Sequence, residues 1–153
     1  MATKKTYTTF VSERAIDAPR QVVWDVLLHL LGEEWAGGYV EPGTDPAPHG
    51  PGATTRFRIR DWDLTERTIT LEPPWRRVYE VEGAPVVLYQ GTIAIRDDGP
   101  SCYVAWAALV DPLPDGVSDA FLDAARAALT NALDQLATRA ESAAAARTGA
   151  GHG

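Results

Sequence analysis

The amino-acid sequence predicts an α+β domain, with a curved antiparallel sheet of six to seven strands wrapped around one long C-terminal helix and two short helices after the first strand. Three observations predict this fold. The middle of the chain alternates between apolar and polar residues in short segments separated by tight turns. The C-terminal part is rich in alanine and carries one apolar stripe at helical spacing. A chain of 153 residues also has the length of one domain that buries a core without metal or disulfide support.

The first elements are a strand and two short helices. Residues 6–16 are rich in β-branched and aromatic side chains, which favours a strand. Apolar residues at helical spacing predict a helix over 21–31 that ends at Gly32. Residues 33–35 are expected to add a short second helical turn before the Gly37-Gly38 pair breaks it.

A loop and a meander of strands follow. Residues 41–52 contain four prolines and three glycines, which is typical of an irregular loop. Alternation and turn residues then predict five strands, over residues 53–60, 64–72, 76–82, 86–96 and 101–110. Short connections between consecutive strands imply antiparallel pairing.

The last predicted element is a long helix. Residues 120–146 include twelve alanines and neither glycine nor proline, and a helix of about 25 residues is expected there. Leu129 and Leu133 belong to its apolar stripe and are expected to face the sheet. We therefore expect residues 1–147 to form a single domain and residues 148–153 a disordered tail.

Charge and cysteine content exclude several classes of function. The net charge of −7 and the isoelectric point near 4.9 argue against a nucleic-acid partner, which requires a basic surface. The single cysteine, Cys102, excludes an intramolecular disulfide and a multi-cysteine metal site. The chain has neither an apolar run long enough for an integral membrane segment nor the pattern of a secretory signal, so a cytoplasmic location is expected.

The sequence contains no recognisable catalytic motif. His29, His49 and His152 are far apart and lack the spacing of metal ligands, so no metal site is predicted. Neither a glycine-rich phosphate signature nor a nucleophile elbow is present. The catalytic residues, if the chain has any, are therefore unknown at this point.

Several local patterns and their order resemble a known superfamily. They are the segment 16–27, in which Ala18-Pro19 precedes Val23-Trp24; Trp35 after the first helix; Glu66-Arg67, Pro73-Pro74 and Tyr79 in the middle strands; and Pro85, Tyr89, Gly91 and Trp106 in the late strands. Over residues 6–143 the chain resembles the START-like, or Bet v 1-like (SRPBCC), superfamily, and within it the bacterial polyketide cyclase/dehydrase and lipid-transport group. This resemblance implies a helix-grip fold with a hydrophobic ligand cavity and without a metal or organic cofactor. It does not imply one reaction, because function depends on the site rather than the fold.

Seven residues are candidates for lining such a cavity. They are Trp35, Phe57, Arg67, Tyr79, Tyr89, Trp106 and Leu129. Four of the aromatic residues share the apolar face of their strands, so they form either a cavity wall or ordinary core packing. Trp35, beside Gly37-Gly38, is placed to act as a gate at a mouth formed with the 41–52 loop.

Two arginines lie on apolar faces in the alternation. Arg67 shares the face of Ile69 and Leu71, where it would anchor an anionic or carbonyl-bearing ligand. The alternatives are a β-bulge that turns Arg67 outward, or an ion pair with a nearby carboxylate. Arg77 has the same ambiguity but sits at a strand start, from which a side chain reaches solvent easily.

Three functions are compatible with these observations. The first is the binding of a small hydrophobic ligand, such as a lipid, an isoprenoid or an aromatic polyketide-like molecule, by a monomer or homodimer. The second is an enzyme of polyketide cyclase, aromatase or dehydratase type that uses the same cavity. The third is a protein-interaction module, which would have a small or filled cavity and an exposed apolar patch.

Overall fold

A computed structural model of the chain describes residues 6–35 and 40–150. Its strands form one antiparallel sheet in the order β1-β7-β6-β5-β4-β3-β2. The strands are β1 Thr8–Ile16, β2 Val40–Glu41, β3 Thr54–Ile59, β4 Trp62–Glu72, β5 Arg76–Glu82, β6 Val86–Asp98 and β7 Ser101–Pro112. The predicted sheet of six to seven strands is therefore confirmed, with the first strand paired to the last.

The helices after β1 form one continuous element. Helix α1, Arg20–His29, passes directly into a π-helical segment, Leu30–Trp35. The expected break at Gly32 is absent, because this glycine is buried together with Leu30 and Leu31. Packing of an apolar face contributes more to helix stability than the propensity of one residue. The Gly37-Gly38 pair lies outside the described residues.

Helix α2, Asp119–Ala150, crosses the concave face of the sheet and packs against α1 and β1. Leu129 and Leu133 are buried, as the apolar stripe predicts. The helix has 32 residues and continues past residue 147, so residues 148–150 are helical rather than part of a disordered tail. The Thr148 hydroxyl donates a hydrogen bond to the Ala144 carbonyl in this last turn. None of the described helices is long and apolar enough to span a membrane.

Strand β4 changes phase near Ile69. Its register with β5 shifts between Thr68 and Thr70, which is the mark of a β-bulge, and Ile69 is exposed. Before the bulge, the buried side chains of β4 are those at even-numbered positions, Leu64, Glu66 and Thr68. Leu71 lies after the bulge. If the alternation is extended from Leu71 back through the bulge, it therefore assigns the residues in the first half of β4 to the wrong face of the sheet.

The expected inward orientation of Arg67 is wrong for this reason. Its side chain is about half exposed, and Nη2 lies 3.1 Å from Oε1 of Glu82 on β5. Both alternatives considered for this residue are present together, the bulge and the ion pair. An exposed pair of this kind stabilises a fold by only a fraction of a kcal/mol.

Candidate ligand-binding cavity

A cavity of about 380 Å³ lies between the concave face of the sheet and α2. Apolar and aromatic side chains form most of its wall. Six of the seven candidate residues line it: Trp35, Phe57, Tyr79, Tyr89, Trp106 and Leu129. These residues come from the π-helical segment, four different strands and α2, so the fold brings together side chains that are distant in sequence. The seventh candidate, Arg67, points away from the cavity.

The aromatic wall is held by specific contacts between strands. The Trp106 indole Nε1 on β7 donates a 2.7 Å hydrogen bond to the Tyr79 hydroxyl on β5. The Tyr89 ring on β6 packs edge-on against Phe121 of α2, with ring centroids 6.0 Å apart. Contacts of this geometry fix ring orientation as well as burying area. The wall is therefore an ordered surface on which a flat ligand can pack.

Small side chains on α2 leave room opposite this wall. Ala125, Ala128 and Ala132 line the cavity beside Leu129. The larger residues Leu133 and Leu136 on the same helix are fully buried but do not line it. The volume therefore arises where alanine replaces the bulkier residues that fill the rest of the helix–sheet interface.

The mouth of the cavity lies beside Trp35. Its indole Nε1 donates a 2.8 Å hydrogen bond to Oε1 of Gln135, and its ring lies 6.0 Å from that of Trp106. The exposed lining residues Arg58, Asn131 and Gln135 mark the side that opens to solvent. Trp35 therefore lies at the open side of the cavity.

The 41–52 loop does not contribute to the mouth. None of its residues lines the cavity. The loop instead packs beside β4, where the Gly52 amide donates to the Thr68 carbonyl and the Thr68 amide donates to the Ala53 carbonyl. The expectation of a mouth shared by Trp35 and this loop is therefore wrong in its second half, because backbone pairing holds the loop against β4.

A buried ion pair lies at the cavity wall. Arg77 on β5 is 2% exposed, and its Nη1 donates to Oε1 of Glu66 on β4. Its Nε and Nη2 both donate to the Thr68 hydroxyl, at 3.3 and 3.1 Å, and its guanidinium lies 4.7 Å from the centre of the Tyr79 ring. Glu66 lines the cavity, whereas Arg77 lies behind it. This pair is a polar feature in an otherwise apolar wall.

The sequence pattern identifies only one member of the pair as a candidate for burial. Alternation places Arg67 and not Glu66 on the apolar face of β4, because the bulge has no signature in the alternation. Arg77 shares the parity of Tyr79, and the structure resolves its ambiguity in favour of burial.

The environment of the cavity keeps its tyrosines protonated. Burial, followed by the neighbouring Tyr89 and Glu66, raises the pKa of Tyr79 well above its usual value. Burial and the charge of Glu66 also raise the pKa of Tyr89. Both hydroxyls are therefore neutral hydrogen-bond donors at physiological pH.

One histidine lies close to the ion pair. Burial, and secondarily the positive charge of Arg77, lower the pKa of His49. Over residues 6–35 and 40–150, no three His, Cys, Asp or Glu side chains cluster in a way that would hold a metal ion. Cys102 is buried, and desolvation is the main cause that raises the pKa of its thiol to about 11. An unreactive thiol is the consequence.

Comparison with known proteins places this geometry in a family. The family model described as polyketide cyclase / dehydrase and lipid transport matches residues 7–141. No curated protein sequence matches the chain.

Several solved structures share the fold. The Zhui aromatase/cyclase from Streptomyces sp. R1128 is 17% identical with a TM-score of 0.67, over 89% of this chain and 94% of that one. The Aha1 dimer from Colwellia psychrerythraea is 12% identical with a TM-score of 0.66, over 88% and 96%. The di-domain ARO/CYC BexL from the BE-7585A biosynthetic pathway is 18% identical with a TM-score of 0.61, over 90% of this chain and 50% of that one. At these identities the likeness concerns the fold alone. Because the family model matches most of its length, the chain belongs to the polyketide cyclase/dehydrase and lipid transport family.

Proposed function

We propose that this chain binds a small, flat hydrophobic ligand in the cavity between the sheet and α2. The observation that carries the proposal is an unfilled volume of about 380 Å³ whose wall is built from ordered aromatic side chains. Ligand pockets in proteins combine an apolar wall with a few placed polar groups, as here. A protein-interaction module is expected to have a small or filled cavity, so an open volume within the size range of ligand sites favours binding over that alternative.

The size of the cavity restricts the ligand. Its volume is close to the lower end of the range for ligand sites, roughly 300–1,000 Å³. At about 30 Å³ for each water-sized group, it holds roughly a dozen such groups. This favours a compound of one or two rings over a lipid with two long chains.

A neutral fluorophore tests the proposal. We expect 1-aminonaphthalene, which has two fused rings, to bind with micromolar affinity and to quench tryptophan emission, because Trp35 and Trp106 both line the cavity. Ala128→Phe would fill the volume from the helix side without removing a core contact, and we expect it to abolish binding.

Ala127→Phe is the matched control, because Ala127 is the preceding residue of α2, is exposed, and does not line the cavity. Circular dichroism would show whether both variants are folded. A folded Ala128→Phe protein that binds the probe as the wild type does would refute binding in this cavity.

A second candidate function is catalysis of a cyclisation or dehydration. The observation that favours it is the position of two protonated tyrosine hydroxyls, Tyr79 and Tyr89, and one carboxylate, Glu66, on the same cavity wall. Tyrosine O–H groups are suited to polarising a carbonyl, and a carboxylate to accepting a proton. Two of the solved structures with this fold are described as aromatase/cyclases.

Cyclisation of a simple diketone tests this candidate. Intramolecular aldol condensation of heptane-2,6-dione forms one carbon–carbon bond and releases one water molecule to give 3-methylcyclohex-2-enone, whose absorbance is easily followed. We expect the wild type to accelerate this reaction and Tyr79→Phe and Tyr89→Phe to slow it. A wild-type rate equal to that in buffer would reject catalysis of this class and leave the binding proposal intact.

A further inference from the structure

Three polar groups on the cavity wall have hydrogen-bonding capacity that the described residues do not use. The second carboxylate oxygen of Glu66, Oε2, accepts no hydrogen bond from the described residues, although the residue is only 7% exposed. The Tyr79 hydroxyl accepts from Trp106 but donates to none of them. The Tyr89 hydroxyl likewise has no hydrogen-bond partner in the described part of the chain. Among the described residues, the one buried side-chain N or O atom without a partner is Arg20 Nε, so Glu66 Oε2 and the Tyr89 hydroxyl are accessible from the cavity. A ligand in the cavity can therefore complete the hydrogen bonds of these groups.

The positive charge beside these groups belongs to Arg77, which already has protein partners. The Arg77 guanidinium donates to Glu66 through Nη1 and to Thr68 through Nε and Nη2, and it faces the Tyr79 ring. Arg77 does not line the cavity. A ligand that enters the cavity therefore meets the carboxylate of the pair and not its guanidinium.

This arrangement has a definite preference for ligand chemistry. A hydroxyl group of a ligand can donate to a carboxylate oxygen and accept from a tyrosine O–H at the same time. A ligand carboxylate or phosphate has no proton to donate and would place a second negative charge beside Glu66 in a largely apolar environment. An ether or a hydrocarbon would leave the carboxylate oxygen unpaired.

From this geometry we infer that Glu66 is a specificity determinant, which selects neutral ligands that carry a hydroxyl donor and excludes anionic amphiphiles such as fatty acids. The inference rests on the proposed binding function and deepens it. Tyr79 and Tyr89 assist by donating to the oxygen of the same hydroxyl or of a neighbouring carbonyl on the ligand.

Three naphthalene derivatives of nearly equal size test the inference. They differ in the substituent at position 2. At pH 7 this substituent is a hydroxyl donor in 2-naphthol, an ether in 2-methoxynaphthalene and a carboxylate anion in 2-naphthoate. Calorimetric titration of the wild type should rank 2-naphthol at least about tenfold tighter than 2-methoxynaphthalene, the ratio expected for one hydrogen bond to a charged group. 2-Naphthoate should bind weakest of the three.

Substitution of the carboxylate tests its role directly. Glu66→Gln should remove most of the preference for 2-naphthol and improve the binding of 2-naphthoate, because Arg77 loses its counter-charge. Glu82→Gln removes the carboxylate of the exposed Arg67–Glu82 pair on the outer face and should leave the ranking unchanged. If Glu66→Gln does not fold, the ranking of the three ligands by the wild-type protein tests the selectivity by itself.

The outcomes separate the two proposals. Equal binding of the three ligands, or tightest binding of 2-naphthoate, would overturn the selectivity while leaving ligand binding in place. Failure of all three ligands and of 1-aminonaphthalene to bind would overturn both. Retention of the wild-type ranking by a folded Glu66→Gln protein would show that Glu66 is not the determinant.

Discussion

Trp106 and Tyr79 are joined by a 2.7 Å hydrogen bond although their strands, β7 and β5, are separated by β6. The residue of β6 that pairs with Tyr79 is Gly91. A Cβ atom on Gly91 would lie 2.1 Å from Cζ of Tyr79, so the tyrosine ring lies directly over this glycine. The missing side chain is what allows the ring to cross β6 and reach the indole.

Gly91→Ala is therefore expected to displace the Tyr79 ring. Overpacking of this kind lowers the free energy of unfolding by about 1–3 kcal/mol, measurable by urea denaturation. Tyr79→Ala in the same background removes the ring that the new methyl group meets. The two substitutions together should then cost less than the sum of the single effects. Strict additivity would show that the ring does not lie over Gly91.

Two leucines on α2 are expected to differ when truncated. Leu133 is 1% exposed and does not line the cavity, so Leu133→Ala should create a new void and lower the free energy of unfolding by about 2–5 kcal/mol. Leu129 already borders the open volume. Leu129→Ala should fall at the low end of that range and, unlike Leu133→Ala, should change the affinity for 1-aminonaphthalene. Equal effects of both variants on probe affinity would contradict this distinction.

Removal of one member of the buried Glu66–Arg77 pair is expected to destabilise the fold strongly, whereas replacement of both members by apolar residues is not. Arg77→Met leaves a carboxylate unpaired in the core and should lower the free energy of unfolding by about 3–5 kcal/mol. Adding Glu66→Leu should recover most of this loss, because two apolar side chains need no partner. Arg67→Met in the exposed pair with Glu82 should cost less than about 1 kcal/mol. A double variant no more stable than Arg77→Met would refute this account.

His49 is expected to make the fold less stable at acidic pH. Its pKa is lowered from 6.5 in the folded state, so around and below that pH the unfolded chain binds a proton that the folded chain does not. Stability contributed by the neutral imidazole is therefore present at neutral pH and is lost as the pH falls toward the folded pKa. His49→Gln should show a shallower loss of unfolding free energy than the wild type between about pH 7.5 and about pH 5. Parallel curves would contradict the expected difference.

The sheet and the long helix were predictable because their signals are repeated over many residues. Alternation over β6 and β7 and the alanine-rich stripe of α2 each involve ten or more residues, so an error at one position does not change the result. The predicted end at Gly32 failed because it depended on a single residue, and core packing around that residue overrode its local preference.

The candidate site was predictable only on its apolar side. Aromatic residues such as Tyr89 and Trp106 lie on strands without irregularity at those positions, and their faces follow from alternation. The polar end of the cavity depends on the bulge at Ile69, which reverses the faces of Glu66 and Arg67. One inserted residue has no signature in the alternation of β4, although it decides which charge enters the core.

Different residues of α2 determine the size of the cavity and the stability of the fold. Ala125, Ala128 and Ala132 border the open volume, whereas Leu133 and Leu136 carry the helix against the sheet. A change from alanine to valine or leucine at the first set reshapes the ligand space and leaves the second set untouched. New ligand preferences are thus accessible through single substitutions on one helix, and a designer who wishes to retune this protein has three positions at which to begin.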